Sequence, residues 1–210
     1  MPLLTITQSL NDSVKKHGIV PEVVDEFESQ GLLSIEYPNG SQVSLGNTLT
    51  VANTQEIPKI QFILNSSKEF SVSNKDKFLL VLTDPDAPSN KDHKWSEYAH
   101  WIVSDLTLNV PSEDAKPDEV EFISTVLDVS KSTEILKYEG PGPPPKTGKH
   151  RYVFLLYKQD PEVAKYDVPL GRPTWGTGTP SSGVRDYIQK HGGKLQLLSV
   201  NFFFAQSEEQ

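Results

Sequence analysis

The sequence predicts a predominantly antiparallel β domain with a few helices on its margins. Eight short runs rich in aliphatic, aromatic and β-branched residues follow one another from Leu32 onward, and clusters of Pro, Gly, Asn and Asp separate them. Helical periodicity is confined to stretches near the two ends of the chain. At 210 residues the chain is long enough for one substantial core. Residues 1–210 are therefore read as a single domain, with residues 1–30 as a helical amino-terminal segment.

Ser9 to His17 predicts a short helix, with Ser9 and Asp12 at capping-box spacing, Leu10 and Val14 on one face and Gly18 as the stop. Pro21 to Phe27 predicts a second, with Pro21 in its first turn. The strand runs are LLSIEY, TLTVAN, KIQFIL, KFLLVLTD, YAHWIVSDLTL, TEILKYEG, HRYVFLLYK and LQLLSVNFFFA. Pro111 to Glu121, rich in Ser, Asp, Glu and Pro, reads as a solvated connection. Ser182 to His191 predicts a late helix with Val184, Tyr187 and Ile188 on one face, ended by Gly192 and Gly193.

A net charge of −8 argues against nucleic-acid partners, which need a basic face. The absence of cysteine excludes disulfides, thiolate metal sites and a cysteine nucleophile, and fits a cytoplasmic protein. The amino terminus lacks the charge and apolar run of a signal peptide, and no stretch approaches membrane-spanning length. Asn11, Asn39 and Asn65 lie in glycosylation sequons that are read as chance matches. No H-E-x-x-H or G-x-S-x-G motif occurs, so neither a metal site nor a serine hydrolase is signalled, and no cofactor is expected. The stretch GPGPPPKTGKH resembles a phosphate loop only superficially. Its Gly142-to-Gly148 spacing is one residue too long, Pro143, Pro144 and Pro145 have no N–H to donate, and His150 stands where a hydroxyl is needed.

Strand alternation identifies the candidate site. In LLVLTDPDAPS it puts Asp84 and Asp86 on the side of Leu80 and Leu82. In SEYAHWIV it groups Tyr98, His100 and Ile102 against Ala99 and Trp101. In HRYVFLLY it groups His150 with Tyr152 and sets Arg151 opposite, where a structural ion pair is expected. If these three strand ends converge, two imidazoles, two carboxylates and two phenols form a small anion pocket. The carboxylates are expected to raise the histidine pKa values and turn ring N–H donors inward. Pro88 and the Gly140–Pro145 lip would shape the rim, and a ligand ammonium group could lie over Tyr98 or Trp95. His93 reads as a loop residue, and His17 and His191 as helix-end residues.

Taken together, "LLVLTDPDAPSNKDHKWSEYAHW" and "YEGPGPPPKTGKHRYVFLLYKQ" resemble the phosphatidylethanolamine-binding protein family, which includes the Raf kinase inhibitor proteins. The similarity runs from about Lys77 to the end, with "KKHGIVPEVV" and "LGNTL" as earlier islands. Those islands, with "RPTWGTGTPSSGV" and "SVNFFFAQ", are similar to the fungal branch typified by the yeast inhibitor of carboxypeptidase Y. The resemblance implies a large antiparallel sheet packed with a smaller one, and a pocket for a small anion or phospholipid headgroup. Its residues would be Asp84, Asp86, His100, His150 and Tyr152, with Pro88, Tyr98, Gly142 and Pro143 around them. The resemblance further implies action through protein partners without turnover: inhibition of a serine carboxypeptidase, with Pro2, Leu3 and Leu4 of MPLLTITQ entering its cleft. A Met1-Pro2 start would give that plug a proline amine instead of a blocked methionine. The alternatives are regulation of Ras or kinase signalling and, using the same Asp and His residues, hydrolysis. Residence in the cytoplasm, with access to the vacuole or to membrane surfaces, fits these roles.

Overall fold

The computed structural model describes residues 3–65, 72–108 and 122–209. The Pro111–Glu121 connection, Pro2 and the side chains of Leu3 and Leu4 lie outside the described residues. Among the described residues, nine strands form two sheets. The smaller contains β1 (Gly31–Glu36), β3 (Lys59–Asn65) and β6 (Phe122–Val126), in the order β1-β3-β6. The larger runs β2-β9-β8-β4-β5-β7, from β2 (Asn47–Thr48), β9 (Gln196–Ala205), β8 (His150–Lys158), β4 (Phe78–Asp84), β5 (Tyr98–Leu106) and β7 (Thr133–Leu136). Every pairing is antiparallel except the short parallel β2–β9 contact.

The large sheet is covered on both faces, which explains why its central strands read as nearly continuous apolar runs. On one face Leu80, Leu82, Trp101, Phe154 and Phe203 pack against Leu33, Ile35, Phe62 and Leu64 of the small sheet. On the other, Leu79, Val81, Val153 and Leu155 meet helix α1 (Leu3–Lys16) through Leu10 and Val14, and helix α3 (Val184–Lys190) through Val184 and Ile188. The result is a sheet-on-sheet core with helices on the outer face.

Several local expectations need correction. α1 starts at Leu3, so Ser9 and Asp12 lie inside the helix and form no cap; no Gly or Pro interrupts the chain between Leu3 and Gly18, where φ is 69°. The second helix is only a turn, α2 (Ile19–Glu22), with Val20 extended inside it. Ile19, Val20, Val23 and Val24 are all buried, and packing this β-branched cluster into the core outweighs continuation of a helix with one apolar stripe. TLTVAN contributes only Thr48 to the two-residue β2 and then enters a 3₁₀ turn at Val51–Thr54, where the Thr54 hydroxyl bonds the carbonyls of Thr50 and Val51. β6 was not anticipated, although FISTV has strand character. β7 ends at Leu136, after which Arg172 takes the Lys137 carbonyl. α3 matches its expected position, and Gly192 and Gly193 follow it at φ 94° and 68°.

Parity in β5 also breaks. Leu82 pairs with Trp101 but Thr83 pairs with Ala99, so a bulge falls at His100. Ile102 consequently packs on the helix side with Ala99, while Trp101 joins Leu80 and Leu82 on the small-sheet side.

Candidate anion-binding site

The carboxyl end of β4 and the amino ends of β5 and β8 meet at one end of the large sheet. Around them close the Ala87–Trp95 loop and the proline lip, leaving a cavity of about 130 Å³. Asp84, Pro88, Tyr98, His100, Gly142, Pro143, His150 and Tyr152 all line it. Cavities for drug-sized molecules begin near ~300 Å³, so this one suits a small polar group.

Its floor is deeply buried. His150, 1% exposed, places Nδ1 2.8 Å from Asp84 Oδ2, and the carboxylate accepts the Nδ1 hydrogen. His150 Nε2 lies 3.0 Å from the Thr147 hydroxyl, which is also 2.7 Å from the Pro144 carbonyl. That hydroxyl has one hydrogen to give. When Pro144 receives it, His150 Nε2 must be the donor to Thr147; otherwise the hydroxyl donates to the ring. Tyr152 stacks at 16° to the His150 ring and meets His100 edge-on at 5.2 Å. Burial beside Asp84 pushes the Tyr152 phenol far up, so it remains protonated.

Asp86 is not part of this cavity. The Asp86 N–H donates to Asp84 Oδ1 at 2.7 Å across Pro85, and this turn ends the strand alternation that would have kept the two carboxylates together. Asp86 instead receives the backbone N–H, Nε–H and an Nη2 hydrogen of Arg151 at 2.7, 2.9 and 2.7 Å, while Arg151 Nη2 also bonds Glu22 at 2.7 Å. The expected structural ion pair of Arg151 thus has Asp86 as its buried partner.

The expected rise in histidine pKa also needs correction at His100. Burial lowers its pKa, and the opposing effect of Asp84 is smaller. His100 Nδ1 lies 2.7 Å from the Glu139 carbonyl, which can only accept, so Nδ1 carries the hydrogen and Nε2 holds the lone pair in the neutral ring.

Sequence reading missed Glu139 and Arg172. Glu139 accepts from the Tyr98 hydroxyl at 2.8 Å and pairs with Arg172 Nε at 2.9 Å. Arg172 also donates to the carbonyls of Ala99, His100 and Lys137, fastening the β5 wall to the segment that carries the lip. Burial, and then Glu139, raise the Tyr98 pKa to about 12. No sequence period links residues 98, 139 and 172; only the YEGPG and GRPTW stretches marked their neighbourhoods.

A two-sheet β domain with a small, deeply buried polar pocket at one sheet end has the form of a binding protein. Comparison with known proteins is consistent with that form. A family model described as Phosphatidylethanolamine-binding protein matches residues 39–203, and the chain belongs to this family. It is 38% identical to the carboxypeptidase Y inhibitor of Saccharomyces cerevisiae, covering 98% of both chains. It is 34% identical to an uncharacterized protein of the same yeast over 92% of each. Among solved structures, a carboxypeptidase Y inhibitor complexed with its cognate proteinase matches with a TM-score of 0.85 and 38% identity, over 96% of this chain and 97% of that one. Among the described residues, no helix is long and apolar enough to cross a membrane.

Proposed function

We propose that this protein is a non-enzymatic regulator that inhibits a serine carboxypeptidase of the carboxypeptidase Y type. The observation that carries this reading is the 38% identity to a carboxypeptidase Y inhibitor along 98% of both chains. The segment containing Pro2, Leu3 and Leu4 enters the peptidase cleft. A separate site formed by Asp84, Pro88, Tyr98, His100, Gly142, Pro143, His150 and Tyr152 holds a small anion, such as phosphate or a phospholipid headgroup. Cytoplasmic residence with access to the vacuole suits this role.

The test is titration of carboxypeptidase Y with the full-length protein and with a form lacking residues 1–8. Inhibition at micromolar protein or below, lost on truncation, is the expected result. Undiminished peptidase activity with the full-length protein would remove the proposal while leaving the family assignment and the pocket geometry intact.

A further inference from the structure

Most of the polar atoms around the anion cavity are already spoken for by the protein. His150 has both ring nitrogens engaged, Nδ1 with Asp84 and Nε2 with Thr147. Asp84 accepts from His150 on one oxygen and from the Asp86 N–H on the other. Tyr98 gives its hydroxyl hydrogen to Glu139, which also lines the cavity. The lining thus holds two carboxylates and, among the described residues, no lysine or arginine.

At the floor two groups remain for a ligand. The Tyr152 hydroxyl accepts from the Gly142 N–H and keeps its own hydrogen, which is available to a ligand oxygen. His100 is the opposite case: Nδ1–H is committed to the Glu139 carbonyl at 2.7 Å, so Nε2 presents a lone pair. No described residue bonds Nε2, yet among the described residues the side-chain atoms sealed away without a partner are the Tyr166 hydroxyl and Arg185 Nε. Nε2 is therefore reached from the cavity that its ring lines.

An oxyanion without a hydrogen would set lone pairs against that lone pair, beside two carboxylates. An oxyanion that keeps an O–H donates to Nε2 instead. Hydrogen phosphate and sulfate share shape and charge, and the hydrogen is what separates them.

We infer that His100 is the specificity-determining residue of this cavity, selecting free orthophosphate over oxyanions without a hydrogen: sulfate, phosphate monoester dianions and the phosphodiester of a lipid headgroup. Orthophosphate gives its O–H to His100 Nε2, and another of its oxygens accepts from the Tyr152 hydroxyl. The inference rests on the reading of the cavity as an anion site and is independent of peptidase inhibition.

The test is calorimetric titration of the full-length protein at pH 8, where the buried His100 ring is neutral. Four probes are compared: orthophosphate, sulfate, glycerophosphoethanolamine as the headgroup, and methyl phosphate, whose second pKa of about 6 leaves it a dianion without a hydrogen. Orthophosphate should bind with a dissociation constant on the order of a millimolar or below, and at least about tenfold more tightly than each of the others. His100→Gln, whose amide can donate as well as accept, should bring the orthophosphate-to-sulfate ratio within about threefold. Nitrogen-15 NMR of the unsubstituted protein supplies a readout that does not depend on how the variant folds: the His100 Nε2 resonance should move on saturation with orthophosphate and stay in place with the same concentration of sulfate. The inference is overturned if any other probe binds as tightly as orthophosphate, if the selectivity persists in folded His100→Gln, or if Nε2 does not respond to bound orthophosphate. Absence of binding by all four up to about 50 mM would instead remove the anion-site reading itself, and this inference with it.

Discussion

Anion binding at the candidate site should take up a proton, because His100 offers no N–H to the cavity in its neutral form. Its Nδ1 hydrogen is committed to the Glu139 carbonyl at 2.7 Å, and burial holds its pKa below the usual 6.5. The charged and titratable groups around the ring are Asp84 from β4, Tyr98 on β5, His150 and Tyr152 from β8, and Glu139 with its partner Arg172. Among the described residues no lysine or arginine lines the cavity, so an oxyanion placed against Nε2 meets a lone pair unless the ring is protonated. Sulfate is the suitable probe, since it does not itself titrate near neutrality. Above the His100 pKa each pH unit should weaken binding about tenfold, or ~1.4 kcal/mol. Between pH 6.5 and 8 the loss is therefore about 30-fold. Calorimetry in buffers of different ionisation enthalpy should show about one proton taken up per sulfate, and His100→Gln should abolish both the slope and the uptake. Affinity that is flat across this range, or a slope that persists in His100→Gln, would refute the argument.

Two further outcomes concern stability. Glu97 is buried against the amino end of α3, accepting from the Thr83 hydroxyl at 2.9 Å and from Val184 N–H at 3.3 Å, and burial raises its pKa from 4.5 to about 7. The folded state holds this proton more tightly than the unfolded chain, so the contribution is complete below pH 4.5 and is lost as pH rises through 7. Its size is on the order of 3 kcal/mol. Urea denaturation at pH 5 and 7.5 should show that loss in the native protein relative to Glu97→Gln; identical pH profiles would exclude it. Asp86→Ala leaves Arg151 buried with only Glu22 as a carboxylate partner and should cost about 3–5 kcal/mol in the same assay. Sulfate affinity should stay within about threefold, because Asp86 faces away from the cavity. A destabilisation below about 1 kcal/mol would show that the ion pair is not needed.

Much of the fold was legible along the chain because buried strands and amphipathic helices carry local patterns. The β4 and β8 runs and the opposition of His150 to Arg151 follow from a side-chain period of two. Leu10 and Val14, one helical turn apart, identified the buried face of α1, and the paired glycines marked the end of α3. The site motifs were recognisable as well, since Asp84, His100 and His150 stand at strand ends beside proline-rich turns.

The amino-acid order by itself therefore determined the β architecture, the strands that carry the site and most residues around its cavity. The tertiary structure alone decided the partners. Asp84 turned to His150 while Asp86 turned to Arg151, because an Asx turn over Pro85 replaced strand geometry. A bulge at His100 altered the facing of Trp101 and Ile102, and Glu139 and Arg172 completed the wall from distant positions. Burial, not the neighbouring carboxylates, set the direction of the His100 pKa. Periodicity reports which way a side chain leaves its own backbone; desolvation and long-range hydrogen bonds depend on what other segments bring to that point, and these emerge only when the sheets close.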